Sequence, residues 1–203
     1  MVLTASRRVR RRIKIALAAS LVLLVLLTAY LTVTLRYELT PGSRGWYPDA
    51  YSDVTAGDVT EHRHLARSGR TIEFATSIAN PGPLTVRLEE VVDDGGVDYT
   101  LEGVRMNDRR PGAGMSALDA APFRPIDLRP DSEVLVYLTL RLLEVPNTTC
   151  AGFWLHSQRV RFKVLGMTRE QLVPMRNVIS VLTPKANGQP CAAETWNMPI
   201  PGV

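Results

Sequence analysis

Thr71-Ile72-Glu73-Phe74-Ala75-Thr76-Ser77-Ile78-Ala79-Asn80-Pro81-Gly82-Pro83-Leu84-Thr85-Val86-Arg87-Leu88 decides the fold. Ile72, Phe74, Thr76 and Ile78 alternate with Thr71, Glu73, Ala75 and Ser77. A period of two puts one set on a buried face and the other towards solvent, which is the pattern of a half-buried strand. Asn80-Pro81-Gly82-Pro83 interrupts it, with Pro presetting φ and Gly admitting φ > 0, and is expected to make a type II turn. Leu84, Val86 and Leu88 then form one face of a second strand, with Thr85 and Arg87 on the other.

Working outward, the same period recurs. Asp93-Asp94-Gly95-Gly96 has tight-hairpin chemistry, and Val97, Tyr99 and Leu101 continue beyond it. Residues 107–125 hold Pro111, Gly112, Gly114, Pro122 and Pro125 and are expected to be irregular. Ile126 and Leu128 suggest a short strand. Val134, Val136, Leu138, Leu140 and Leu142 mark the strongest one. Val160, Phe162 and Val164 alternate with Arg159, Arg161 and Lys163, a strand with one basic face. Thr168 with Gln171 has the spacing of a capping box and predicts a brief helical turn before Pro174. Val178 to Leu182 closes the set. About seven short strands and no long helix in this region predict a mainly β fold, an antiparallel β-sandwich.

The other decisive stretch is Ile15 to Leu35, 21 residues without a charge and dense in Leu, Val, Ala and Ile. About 20 helical residues span a hydrocarbon core of about 30 Å. Arg7, Arg8, Arg10, Arg11, Arg12 and Lys14 precede it with no acidic residue among them. The positive-inside rule keeps that tail in the cytoplasm and sends the remainder outside. The formal charge of +4 comes from this end, because the other 18 basic residues face 20 acidic ones. The charge therefore belongs to topology, and no nucleic-acid partner is expected. A cleaved signal peptide is the competing reading, but Ala29, next to Tyr30, is a poor cleavage site.

The expected organisation is a basic cytoplasmic tail over 1–14, a transmembrane helix over 15–35 and a stalk over 36–56. The sandwich follows over 57–183, with a proline-rich tail over 184–203. The 21 arginines against three lysines fit a GC-rich coding genome and a bacterial envelope.

The chain resembles bacterial extracellular immunoglobulin-like domains of the CARDB-like kind. The resemblance rests on Phe74 to Leu88, where an alternating strand meets an Asn-Pro-Gly turn, and on Ile126-Asp127-Leu128-Arg129-Pro130-Asp131-Ser132 leading into a long apolar strand. It implies an immunoglobulin-like sandwich that scaffolds or binds, and it carries over no functional residue.

Candidate chemistry is sparse. Cys150 and Cys191, the only cysteines, lie on the expected outer side, where an oxidising compartment favours a disulfide. The loop it would close, some 40 residues, is worth roughly 3–4 kcal/mol by chain entropy. His62 and His64 would project from one strand face about 7 Å apart, close enough to share a metal if His156, a carboxylate or a methionine supplied a third ligand. No Walker loop, dinucleotide fingerprint, His-Glu-x-x-His or Gly-x-Ser-x-Gly elbow occurs. No enzyme activity and no cofactor are therefore expected. Two patches have the residue types that carry binding energy: the aromatics Trp46, Tyr47 and Tyr51, and the basic row Arg159, Arg161 and Lys163. The expected partners are the lipid bilayer and an envelope protein or cell-wall polymer.

Overall fold

A computed structural model describes residues 7–48, 50, 52–56, 59–67, 69–93, 98–107, 120–143 and 152–184. The chain divides into two units, Met1–Tyr37 and Glu38–Val203. The first contains α1 (Arg7–Arg36), whose 30 residues correspond to about 45 Å of helix. Within its stretch Arg12–Arg36 the most apolar 18 residues have a mean hydropathy of 2.4, and none of them is buried. Thr28 and Thr34 donate their hydroxyl hydrogens back to the carbonyls of Leu24 and Tyr30, both at 2.8 Å, so these polar side chains are satisfied within the helix. Arg36 in the last turn complements the helix dipole.

The second unit is built from eleven strands among the described residues: β1 (Thr40–Trp46), β2 (Ser52–Ala56), β3 (Val59–Leu65), β4 (Thr71–Asn80), β5 (Val86–Val91), β6 (Tyr99–Asn107), β7 (Ala121–Pro122), β8 (Ile126–Leu128), β9 (Ser132–Leu142), β10 (Gly152–Val164) and β11 (Met167–Leu182). One sheet has the order β1-β4-β9-β6-β7 and the other β2-β3-β11-β10-β5-β8. The expected mainly β, two-sheet architecture behind a single apolar helix is what forms. The second sheet is mixed rather than purely antiparallel, because β3 runs parallel to β11, with Glu61 opposite Val178 and His64 opposite Val181.

The alternation read from the sequence places the core. Phe74 faces Leu138 and Ile72 faces Leu140 across β4 and β9, while Val160, Phe162 and Val164 supply the opposing layer, all nearly inaccessible. Each such side chain contributes roughly 1.5–3 kcal/mol when removed from water. The other face of the first sheet carries a smaller cluster of Ala75, Leu135 and Tyr137, against which Trp46 and Ala120 pack.

Three local expectations are corrected. The stretch 36–56 is not a stalk: β1 and β2 lie within it, one in each sheet. Pro41, Gly42 and Gly45 did not break the chain because β1 is an edge strand with an irregular register between Pro41 and Gly45. Such a strand tolerates Pro and uses Gly for close approach. A Cβ at position 42 would overlap the Glu133 carboxylate and the Ser77 hydroxyl.

Thr168 to Gln171 is strand rather than helical turn, paired with Val160 to Lys163. Leu165 and Gly166, with φ of 48° and 88°, make a two-residue hairpin turn between Val164 and Met167, and this overrides the capping-box spacing. Pro174 is accommodated where the β10–β11 register slips, opposite Ser157 and before pairing with β3 begins at Val178.

Gly82 is not among the positive-φ glycines, so the turn after β4 is not type II. The fully buried Asn80 organises it instead, donating to the carbonyls of Leu84 (2.8 Å) and Leu128 (2.9 Å) and accepting from Gly82 N. An Asn side chain that mimics backbone in this way fixes a turn without φ > 0. The proline-rich tail, the turn centre at 94–97 and most of the 107–125 connection lie outside the described residues.

Leu165 gives a first prediction. A branched side chain held in the left-handed region costs roughly 1–2 kcal/mol. Leu165→Asn should stabilise the domain by about 1 kcal/mol and Leu165→Val should destabilise it, as read by denaturant unfolding of the purified chain.

Candidate functional site

A polar arrangement surrounds His62, at the edge formed by β2, β3 and β11. Asp53 and His62 are direct partners across β2 and β3, and His62 lies beside Ile179 on β11. That register sets Asp53 Oδ1 2.8 Å from His62 Nδ1. On the far side of the ring, Asn177 Nδ2 is 3.1 Å from Nε2. Tyr47 stacks on the imidazole, with ring centroids 4.0 Å apart and planes 13° from parallel. The His62 side chain is 12% exposed and that of Asp53 58%, so the dyad opens to solvent only on its carboxylate side. Burial pushes the Tyr47 phenol up to about 12, against the opposing pull of a hydrogen bond with Thr76 and the charge of Arg176.

His64 shares the His62 side of β3 by alternation and is fully buried. No group of three or more His, Cys, Asp or Glu side chains suited to a metal occurs among the described residues. Both nitrogens of His62 are engaged, so a metal would have to displace Asp53 or Asn177. His156, the third ligand considered, is exposed on β10.

The opposite side of β3 carries what the histidines obscured in the sequence. Glu61 and Arg63 form a buried ion pair at 2.9 Å, their side chains 9% and 6% exposed. Arg63 Nε has no hydrogen-bond partner.

The aromatic patch is taken apart by the fold. Trp46 reaches over Ala75 to Tyr137, with ring centroids 6.0 Å apart, and Arg105 covers the Tyr137 ring from β6. Trp46 and Tyr47 are thus half-buried packing residues in different settings. Tyr51 lies outside the described residues, as do Cys150 and Cys191.

The basic row is brought together on β10, and its middle member is paired with acid. Arg161 lies between Glu90 of β5 and Glu170 of β11 and bonds both, at 2.5 and 2.7 Å. These carboxylates hold its guanidinium above its ordinary value, the Glu170 hydrogen bond foremost. Arg159 is half-buried opposite Leu172, and Lys163 is exposed beside Arg87, which pairs with Asp127.

At the start of β9, Glu133 accepts hydrogen bonds from Ser43 N (2.6 Å), Ser43 Oγ (2.9 Å) and Arg44 Nε (2.6 Å). Ser77 Oγ completes the clamp by accepting from Arg44 N and donating to Arg44 O. Burial works to raise the Glu133 carboxyl, but the Ser43 and Arg44 hydrogen bonds together with the Arg44 charge hold it below its ordinary value.

Between the sheets, Phe74, Tyr99, Leu101, Leu140, Leu155 and Met175 line a cleft with Asp93 and Gln158 at its polar side. Its empty volume is about 270 Å³, open mouth included. The space left for a ligand atom is about that of a single water.

These features define a two-sheet β domain behind an apolar helix, and comparison with known proteins goes no further. No family model and no curated protein matches the chain, and the resemblance to CARDB-like domains is not confirmed. Among solved structures, the VesB protease of Vibrio cholerae aligns at 9% identity and a TM-score of 0.34. That alignment covers 61% of this chain and 30% of the protease. The apo PCuAC domain of PmoF2 aligns at 15% identity and a TM-score of 0.32, covering 66% and 98% of the two chains. A Corynebacterium diphtheriae protein described as membrane anchored aligns at 10% identity and a TM-score of 0.32, covering 77% of this chain and 37% of its own. At these values the likenesses carry no argument about function.

Proposed function

We propose that the chain is a single-pass membrane protein of a bacterial envelope, with a cytoplasmic N-terminus and an extracytoplasmic β-sandwich that binds or scaffolds and is not an enzyme. The observation that carries this is α1. A helix whose most apolar 18 residues have a mean hydropathy of 2.4, none of them buried in the protein, needs an apolar solvent around it. The charge in its first turns, six basic residues between Arg7 and Lys14 and no acidic one, orients that helix with its start in the cytoplasm.

Anchored in this way, the domain meets partners of the envelope: another membrane protein or an inner-wall polymer. Among the residues considered for that contact, exposed Lys163 on β10 is the least encumbered, since Trp46, Tyr47 and Arg161 are already engaged within the fold.

A reporter that works only outside the cytoplasm, fused after Val203, should be active, and a reporter that needs the cytoplasm should be silent at the same position. The reverse pattern would overturn the orientation.

A further inference from the structure

We propose that the tip of the β10–β11 hairpin is a lipid contact of the β domain itself, with Leu165 entering the interface of an anionic bilayer and the cations around the tip meeting its headgroups. This rests on the reading of the chain as membrane-anchored and goes beyond it, since an anchored domain need not touch lipid.

The turn is built against its own chemistry. Leu165 and Gly166 have φ of 48° and 88°, the two-residue hairpin geometry that Asn-Gly supplies without strain. Gly166 suits it. Leu165 does not, because its Cβ crowds a carbonyl in the left-handed region. Burial in the core does not offset that strain, since Leu165 is 47% exposed. A lone exposed leucine is ordinary on a protein surface. A strained one at the tip of a hairpin is not, and an apolar phase around the side chain supplies the gain that the protein interior does not.

The surroundings carry matching charge. The turn after β4, the turn between β8 and β9 and the β10–β11 tip share one end of the sandwich. Asn80 donates to the carbonyls of Leu84 and Arg129, and Arg87 stands opposite Lys163, two residues before the tip. The stretches 81–87, 127–132 and 163–169 carry Arg87, Arg129, Lys163 and Arg169 against Asp127 and Asp131. Arg87, Arg129 and Lys163 are exposed, and a surplus of cations around an apolar tip is the pattern that binds anionic lipid. β1, the strand that follows α1 in the chain, begins at this same end, with Thr40 opposite Ala79. Leu143 is also exposed but lies past the other end of β9, about 35 Å away along an eleven-residue strand. It serves as the internal control.

The test is methyl NMR of the full chain, labelled at leucine, in nanodiscs of phosphatidylcholine and phosphatidylglycerol. The Leu165 signals are assigned by their loss in Leu165→Asn, a replacement that suits φ > 0, and those of Leu143 by their loss in Leu143→Ala. A nitroxide carried near the top of the lipid acyl chain should broaden Leu165 and spare Leu143. A water-soluble gadolinium chelate should do the reverse. Leu165 broadened by the chelate and not by the nitroxide would place the tip in water and overturn the proposal. Leu165 spared by both would also overturn it, by showing the tip covered by protein, a second copy of the chain included. A chain that fails to enter the nanodiscs would overturn the anchoring reading and this proposal with it, whereas a chain that enters with Leu165 in water overturns this proposal alone.

Discussion

Glu61→Ala should destabilise the domain by about 3–5 kcal/mol, the largest effect expected of any single polar substitution here. The reason is the charge left behind. Arg63 is buried with its partner 2.9 Å away, and its Nε already lacks a hydrogen bond. Removing Glu61 strands a guanidinium that water cannot reach. The pair itself is not worth that much, because both charges were desolvated to form it. The double replacement Glu61→Leu with Arg63→Met should therefore fall within about 1 kcal/mol of wild type or exceed it. Denaturant unfolding of the three variants reads this directly. A double variant as unstable as Glu61→Ala would mean that the pair contributes net stability and that the desolvation argument is misapplied.

The second large effect is at Glu133. Glu133→Ala should cost about 3 kcal/mol, since three hydrogen bonds to a carboxylate only 17% exposed are lost and Arg44 is left without that partner. The same clamp makes a pH prediction whose sign follows from the lowered carboxyl. Its folded value lies below its unfolded one, so between the two the unfolded chain binds the extra proton. The stabilisation is complete above the unfolded value, about 4.3, and is lost as pH falls through the folded value. Glu133→Gln should flatten this acid limb while leaving stability above pH 6 only modestly reduced. An acid limb identical in the two proteins would assign it to other carboxylates.

Strand positions were legible wherever alternation was clean. Ile72 to Ile78 and Val134 to Leu142 formed strands as expected, but Ala75 and Ser77, read as facing solvent, are buried too, because β4 and β9 have packing on both faces. The stalk expected over 36–56 failed because Pro41, Gly42 and Gly45, residue types that break an isolated chain, also build an irregular edge strand, and the Glu133 clamp distinguishes the cases. Thr168 and Gln171 misled because a local capping signal was weighed without the Leu165-Gly166 turn before it. At the candidate site, His62 stood out in the sequence for its neighbour His64. Its actual partners, Asp53 and Asn177, are 9 and 115 positions away and are brought to it by a strand pairing that no local pattern announces. The Glu61–Arg63 pair was visible as an i, i+2 spacing of opposite charges, but nothing in the sequence marked that face as buried. The basic row on β10 was legible as a row, but the pairing of Arg161 with Glu90 and Glu170 was not, since these flank it only once β5, β10 and β11 are aligned.

The claim on which the functional reading turns is that α1 crosses a membrane and leaves the β domain outside. Sealed, right-side-out vesicles carrying the full chain with an epitope after Val203 test it most directly. Protease added outside should remove the epitope, leave an N-terminal fragment ending near residue 37 that resists alkaline extraction, and spare an epitope placed before Arg7. A C-terminal epitope that survives until the vesicles are opened, or a chain that alkali washes from the membrane whole, would contradict the account.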